Sequence, residues 1–223
     1  YAAEAFGTLG AVRVKGGRAI NPEDVRDAAI LITRSTTKVN AALLDNSAVR
    51  FYGSGVIGTD HIDIPYLASR GIKWCGAPGC NAESVANYVT AALLWLGGRH
   101  GFRLEGKTIG VIGVGNVGRR VCRHARALGM RVLANDPPRQ RDPADSEARD
   151  FVPLDRVLAE ADIVTCHVPL SREGSDATWH LLDAARLAAL KAGAIVINAA
   201  RGPVLDTEAL LRALDVNVGH AVI

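Results

Sequence analysis

The sequence predicts an α/β protein built from two lobes, each a doubly wound parallel sheet, and three observations support this. Apolar, β-rich runs alternate with amphipathic helical segments along the chain. The runs are apolar on both faces, as strands are when helices cover both sides of a parallel sheet. The alternation restarts near residue 100, after a long helical segment. The predicted strands are Ala29–Thr33, Arg50–Gly53, Ile72–Cys75, Thr108–Ile112, Arg131–Asn135, Ile163–His167 and Ala194–Asn198.

Helix starts lie between these strands. Asn21 followed by Pro22 gives a cap and a first turn, and Asn40 precedes "AALL". Asn81 precedes "AESVANYVTAALLWL", a long helix, and Asp206 or Thr207 precedes "EALLRAL". We therefore expect a flavodoxin-like lobe over 1–80, a connecting helix over 81–100 and a second lobe over 101–223, with a cleft between the lobes.

Composition narrows the class of protein. The chain has 223 residues, 48% of them hydrophobic, and Lys plus Arg number 26 against 23 Asp plus Glu. Because no basic tract stands out, we expect no nucleic-acid partner. The longest apolar run, Val89–Leu96, is too short to span a bilayer, which predicts a cytoplasmic protein without a membrane partner.

The four cysteines lack C-x-x-C spacing, so we predict no metal site and expect reduced, mostly buried thiols: Cys75, Cys80, Cys122 and Cys166. Both ends suggest a longer protein. The chain opens on Tyr1, and "GHAVI" at the other end has the character of a strand without a following turn.

A glycine motif carries the strongest functional signal. Gly113, Gly115 and Gly118 have G-x-G-x-x-G spacing between an apolar strand and a helix. In that context the first glycine makes a tight turn, the second admits a pyrophosphate and the third lets the helix close on the strand. Asp136 follows Gly118 by 18 residues at the end of the next strand, where its carboxylate would accept from the ribose hydroxyls and repel a 2′-phosphate. We predict NAD as the cofactor. The alternative for Asp136 is a helix or turn cap.

Two further strand ends should line the same cleft. His167 and Val168 follow the strand after Asp136, and we interpret His167 as a packing residue rather than a proton donor. Arg201 follows "AIVINAA", and a guanidinium there can hold a substrate carboxylate through two parallel hydrogen bonds. The alternative is a surface arginine in a strand-to-helix loop.

The first lobe offers two polar loops. "RSTTK", residues 34–38, gathers hydroxyls and cations that suit a phosphate or carboxylate, or simply caps the next helix. "GSGVIGTDHID" has three glycines that could form an anion nest, with Asp60 and His61 structural. In the second lobe, the charged segment 139–150 is expected to be a solvated surface loop.

Taken together, "GVGNVG" with Asp136, "NAARGPVLD" and "GSGVIGTDHID" resemble the D-isomer-specific 2-hydroxyacid dehydrogenase family over nearly the whole chain. The resemblance implies a substrate lobe over 1–80, an NAD-binding Rossmann lobe over 101–223, and hydride transfer from a 2-hydroxy acid to NAD. Within the family, "TRSTTKVN", "APGCNAESVANYV" and "NDPPR" are most similar to a branch that oxidises a small phosphorylated 2-hydroxy acid and forms homodimers.

The resemblance also implies roles for single residues. Arg201 would bind the substrate carboxylate beside the nicotinamide, and Ser35 would contact substrate. The residues that would contact the cofactor are Gly113, Gly115, Asn116, Val117, Gly118, Asp136, Val168, Ala199, Ala200 and Arg201. Val56 and Val168 stand where the branch commonly has threonines that touch substrate and cofactor.

The family completes its site with a glutamate and an acid–base histidine that lie beyond "GHAVI". We therefore expect these 223 residues alone not to turn over substrate. Two alternatives stay open: a dehydrogenase for another 2-hydroxy acid, such as 3-phosphoglycerate or glyoxylate and hydroxypyruvate, and an NAD-sensing binding protein of the same fold.

Overall fold

The computed structural model describes residues 2–223. The chain divides into two compact units, Tyr1–Cys80 and Asn81–Ile223, each with its own parallel sheet. The prediction of an α/β protein with parallel sheets and interleaved helices is confirmed.

The first unit contains a three-stranded sheet in the order β1-β2-β3, with all strands parallel. Its core gathers apolar side chains around the fully buried Tyr52, Leu44 and Leu67. Asn21 and Asn40 accept backbone N–H groups at the helix starts predicted for them. The elements are α1 Ala2–Phe6, α2 Pro22–Val25, β1 Ile30–Thr33, α3 Ala41–Leu44, β2 Phe51–Ser54, α4 Ile64–Ser69 and β3 Lys73–Cys75.

The second unit contains a five-stranded parallel sheet in the order β5-β4-β6-β7-β8. Two core clusters flank it, and every residue of the first strand, β4, is buried, as expected of a strand covered by helices on both faces. The elements are α5 Ala82–His100, β4 Thr108–Ile112, α6 Gly118–Ala127, β5 Arg131–Asn135, α7 Pro137–Gln140, α8 Leu154–Glu160, β6 Ile163–Cys166, α9 Ala184–Ala188, β7 Ala194–Asn198, α10 Thr207–Leu214 and β8 Val218–Val222.

The order of strands in this sheet creates a binding crevice. The chain runs from β4 outward to β5 and then returns to the other side of β4 as β6, so the winding direction reverses between β4 and β6. In open parallel sheets, ligands bind outside the carboxyl ends of the strands at such a switch point.

The cysteine prediction is half right. Cys122 and Cys166 are buried, and burial raises the pKa of the first thiol to about 11 and of the second to about 12. Cys75 and Cys80 are exposed, because the first ends the edge strand β3 and the second lies in the turn after it. Among the described residues, no helix is both long and apolar enough to cross a bilayer.

Candidate cofactor-binding site

Strand register brings four predicted segments to one edge of the second sheet. Ile112, the last residue of β4, pairs with Asn135 of β5 and with Cys166 of β6. Cys166 in turn pairs with Asn198 of β7. Since these four strands end level with one another, the residues that follow them emerge side by side. Those residues are Gly113–Gly118, Asp136, His167–Val168 and Ala199–Arg201.

The turn after β4 can be made only by glycine at two positions. Gly113 has a φ of +84°, and a Cβ added there would lie 2.8 Å from the carbonyl oxygen of His167. At Gly118 an added Cβ would lie 2.0 Å from the carbonyl oxygen of Gly113. The strand and the helix therefore approach each other more closely than any side chain would allow.

The middle glycine faces open space. A Cβ added at Gly115 would meet no atom within 4 Å, so the backbone of the turn is accessible from outside. Helix α6 begins at Gly118 with Val117 as its N-cap, and no side-chain hydrogen bond caps the N–H groups of its first turn. Exposed backbone, a helix N-terminus and the switch point together fit the pyrophosphate of a dinucleotide.

Two arginines brace the outer part of the turn. Arg119 Nη2 donates to Asn116 Oδ1 at 2.9 Å, and Arg120 Nη1 donates to the Asn116 carbonyl at 2.6 Å. Arg120 also donates to Glu83 of α5 through Nε, at 3.0 Å. These bonds fix Asn116, a residue that was predicted to lie under the pyrophosphate.

Asp136 is held in place by two backbone groups. One carboxylate oxygen, Oδ2, accepts from Val114 N at 2.8 Å, and the other, Oδ1, accepts from Arg139 N at 3.2 Å as the N-cap of α7. The alternative role as a helix cap is therefore seen. It does not exclude a role toward ribose, because each carboxylate oxygen has a second lone pair that can accept a hydroxyl.

The position of Asp136 also bears on which dinucleotide can bind. Its charge lies at the end of β5, bonded to the peptide group that follows Gly113. A carboxylate so placed favours two free hydroxyls and opposes a phosphate, which is the pattern of NAD rather than NADP.

His167 packs beneath the crevice rather than in it. Its Nε2 lies 3.0 Å from Thr165 Oγ1, and burial lowers its pKa to about 4. Its Nδ1 is buried and has no hydrogen-bond partner among the described residues. The neighbouring Val168 Cγ1 would lie 2.7 Å from a Cβ at Gly113, so this side chain closes the floor of the turn.

Arg201 lies in a turn that its neighbours hold. It is half-buried, its Nη1 donates to the Ala200 carbonyl at 3.1 Å, and its backbone begins a short 3-10 helix, Gly202–Val204. Asn198 Nδ2 donates to the Arg201 carbonyl at 2.9 Å, and Asn198 Oδ1 accepts from Ala200 N at 3.1 Å. Sequence reasoning missed Asn198. Its signal was an asparagine at the end of β7, four residues before the Gly-Pro pair at 202 and 203.

In the first unit, the residues of the two predicted loops differ in exposure and in hydrogen bonding. Ser35 and its neighbour Arg34 are exposed after β1, and Val56 is half-buried after β2. None of the three glycines in "GSGVIG" has φ in the left-handed region, so the loop lacks the left-handed half of an αR-αL nest. His61 Nε2 lies 3.1 Å from Tyr52 Oη and 3.4 Å from Ser54 Oγ, within the unit's own hydrogen-bond network.

Most of the charged segment 139–150 is exposed, as predicted, but two of its charged side chains, Arg139 and Asp145, are half-buried. Arg139 donates to Asp145 Oδ2 through Nε at 2.6 Å and to the Val114 carbonyl through Nη1 at 2.8 Å. Composition alone could not reveal these contacts, because they depend on how the chain after β5 lies against the turn after β4.

A dinucleotide-binding Rossmann unit is therefore the class that this fold and this site define. The family model for the D-isomer specific 2-hydroxyacid dehydrogenase, NAD binding domain, matches residues 85–223. The chain belongs to the D-isomer specific 2-hydroxyacid dehydrogenase family, and its cofactor is NAD.

Within the family, the chain is similar to proteins named erythronate-4-phosphate dehydrogenase. It is 53% identical to the one from Salinibacter ruber over 94% of this chain and 54% of that protein. It is 50% identical to the one from Sodalis glossinidius over 96% of this chain and 56% of that protein. The predicted resemblance to this branch is thereby confirmed, and the chain spans about half the length of the curated relatives it matches.

Solved structures agree on the fold. D-lactate dehydrogenase from Aquifex aeolicus, complexed with NAD and lactic acid, has a TM-score of 0.79 and 26% identity, covering 98% of this chain and 71% of that one. NAD-bound 3-phosphoglycerate dehydrogenase from Entamoeba histolytica has a TM-score of 0.77 and 26% identity, covering 93% of this chain and 67% of that one.

Proposed function

We propose that the protein oxidises 4-phospho-D-erythronate at C2 to the 2-oxo acid, passing the hydride to NAD as a step of pyridoxal phosphate synthesis. The observation that carries the cofactor half of this proposal is the glycine turn beside Asp136 at the switch point of the second sheet. The substrate half is supported by relatives of that name at 45–53% identity.

The cofactor would be held mainly by backbone. The turn formed by Gly113, Gly115 and Gly118 offers N–H groups to the pyrophosphate, with Asn116 and Val117 beneath it. Asp136 would accept the ribose hydroxyls, and Val168, Ala199 and Ala200 would pass beside the nicotinamide half. NAD supplies the hydride acceptor, while the protein holds the reacting carbon near it.

Arg201 would bind the substrate carboxylate. A guanidinium can donate two parallel hydrogen bonds to a carboxylate, and the turn that Asn198 holds limits the directions it can take. Ser35 and Val56 remain predicted substrate contacts of the first unit.

Oxidation at C2 also needs a base for the hydroxyl proton. His167, whose Nδ1 is buried and whose pKa is lowered by burial to about 4, is a poor candidate. We propose that the family's glutamate and histidine pair serves this step outside these 223 residues, in a cytoplasmic homodimer. The chain alone is then expected to bind NAD without turnover.

The first test compares acids in the longer protein that contains this chain. Reduction of NAD would be followed with 4-phospho-D-erythronate, D-3-phosphoglycerate and D-glycerate, the reduced form of hydroxypyruvate. Preference for the first supports the proposal. A preference for one of the others would move the protein to that activity, and NAD binding without any turnover would favour an NAD-sensing protein.

The second test addresses Arg201. Arg201→Lys should reduce kcat/KM at least about tenfold with NAD affinity nearly unchanged, because a lysine cannot donate two parallel hydrogen bonds. Arg126→Lys, an exposed change in the last turn of α6, is the matched control. Equal kinetics for both variants would remove Arg201 from the site.

A further inference from the structure

An arginine enclosed by two acids lies against the dinucleotide turn. Arg139 belongs to α7, directly after Asp136, and it contacts Asp145 and Glu147 of the charged segment that follows. We call Asp145 and Glu147 the acidic clamp. Neither the cofactor chemistry nor the predicted substrate chemistry uses it.

All three guanidinium nitrogens of Arg139 are engaged. Nη1 donates to the Val114 carbonyl at 2.8 Å, which anchors the group to the turn itself. Nε and Nη2 donate to the two carboxylate oxygens of Asp145 at 2.6 and 3.0 Å, and Nη2 also donates to Glu147 Oε2 at 2.6 Å. The guanidinium carbon lies 5.0 Å from the centre of the Phe151 ring.

Arg139 and Asp136 bind the same residue from its two polar sides. Val114 N donates to Asp136, and the Val114 carbonyl accepts from Arg139. The carboxylate expected to meet the ribose and the guanidinium are therefore fixed close together. A cation in this position would attract a ribose 2′-phosphate if its charge were available.

The acidic clamp makes the charge of Arg139 unavailable to such a phosphate. The Asp145 side chain is only 13% exposed, and the Arg139 guanidinium beside it lowers the pKa of that carboxyl. With Asp145 and Glu147 both ionised, one positive charge faces two negative ones, and its bidentate face is already occupied.

We propose that Asp145 and Glu147 set the preference for NAD over NADP, by occupying the donors of the Arg139 guanidinium and neutralising its charge. Asp136 opposes the 2′-phosphate directly, and the clamp withholds the cation that could compensate. This inference rests on the proposed placement of the dinucleotide in the 113–118 turn.

Binding measurements with NAD and NADP test the proposal without requiring turnover. In the double variant D145N/E147Q, NADP affinity should rise about tenfold, as expected for a new charge-assisted hydrogen bond, while NAD affinity changes less than about twofold. Adding R139Q to that double variant should abolish the gain. Asn at 145 keeps an oxygen to accept from Glu147 N, so the loop retains that bond.

Glu160→Gln is the matched control for charge. Glu160 also bridges two arginines, Arg156 at 2.7 Å and Arg131, but it lies at the amino edge of the sheet, where β5 begins. Comparison of E160Q with the single variant D145N separates the position of the removed charge from its amount. An equal NADP gain in both variants would overturn the proposal.

Other outcomes are equally decisive. Unchanged NADP affinity in a folded D145N/E147Q variant, judged by its thermal transition, contradicts the role of the clamp. If that variant does not fold, the single variant E147Q replaces it in the test, because Glu147 is 56% exposed and makes only one of the contacts to Arg139. The proposal then requires that E147Q raise the affinity for NADP at least about threefold. If D136N leaves NAD affinity unchanged, the placement of the dinucleotide fails instead.

Discussion

Two of the strand ends that were predicted to carry function, those of β4 and β1, are built in different ways. The turn after β4 is fixed by backbone crowding at Gly113 and Gly118 and by the bonds that Asp136 and Arg139 make to Val114. Within residues 34–38, which follow β1, Ser35 is exposed and only Thr37 is buried. Cofactor binding at the proposed site would therefore depend on main-chain geometry, whereas residues 34–38 offer mostly exposed side chains.

The largest effect on stability and on NAD binding is expected for Gly118→Ala, in the turn after β4. Its Cβ would lie 2.0 Å from the Gly113 carbonyl oxygen, so the helix must move away from the strand. We expect a loss of about 3 kcal/mol in the free energy of unfolding, as for an overpacked core position, together with loss of NAD binding. Urea unfolding and NAD titration measure the two effects.

Gly115→Ala is the control within the same turn. Its Cβ meets no protein atom within 4 Å, so stability should change by less than about 0.5 kcal/mol. The methyl group would nevertheless stand where the pyrophosphate is proposed to lie, and NAD affinity should fall. If Gly118→Ala proves as stable as Gly115→Ala, the turn is not rigid in the manner described.

The pH dependence of the free energy of unfolding gives a further test of this sheet edge, because His167 follows β6 there. Above pH 6.5 the imidazole is neutral in both the folded and the unfolded chain. As pH falls, the unfolded chain takes up a proton near 6.5, whereas burial delays protonation in the folded chain until about pH 4. Stability is therefore lost between these pH values, by roughly 3 kcal/mol for this residue.

His167→Gln should flatten that part of the stability profile. Glutamine does not titrate there, and its amide can still bond to Thr165 Oγ1, which lies 3.0 Å from Nε2 of the histidine. Chemical unfolding at pH 7 and at pH 4.5 gives the difference. Equal profiles for His167→Gln and the wild type would show that the histidine is accessible to protons when folded.

The strands of the second unit were predicted closely. The bounds of β4, β5 and β7 match the sequence prediction, and β6 ends one residue earlier than predicted. Three of these strands, β4, β6 and β7, are apolar and buried along nearly their whole length, which leaves few alternative bounds. The long helix after Asn81 runs to His100, because it continues through Gly97 and Gly98 beyond the apolar segment that ends at Leu96. Gly97 lies too close to the Phe102 carbonyl for a side chain, at 2.9 Å from an added Cβ.

Long-range contacts explain what the sequence could not show. The segment 139–150 is mostly exposed, as predicted, but the bond from Arg139 to the carbonyl of Val114, 25 positions earlier in the chain, was not foreseen. Asn198 was overlooked because its partners become apparent only when the turn around Arg201 is closed. Both residues act by holding other groups, and such roles leave no spacing pattern.

The smallest expected effect concerns the loop after β1. Ser35→Ala should change the free energy of unfolding by less than about 0.5 kcal/mol, because the side chain is exposed. Thr37→Val, two residues on, should cost about 1 kcal/mol, because the buried Thr37 Oγ1 donates to the Gly17 carbonyl at 2.8 Å. Thermal or urea unfolding of the two variants gives the comparison.

A difference of this kind would assign separate tasks to adjacent residues. Thr37 would hold the loop to the residues before α2, and Ser35 would be free to change without structural cost. Should Ser35→Ala be the more destabilising of the two, the loop must hold that hydroxyl, and its proposed role as a substrate contact would lose its basis. If stability is unchanged while KM for the phosphorylated acid rises, the side chain serves recognition alone.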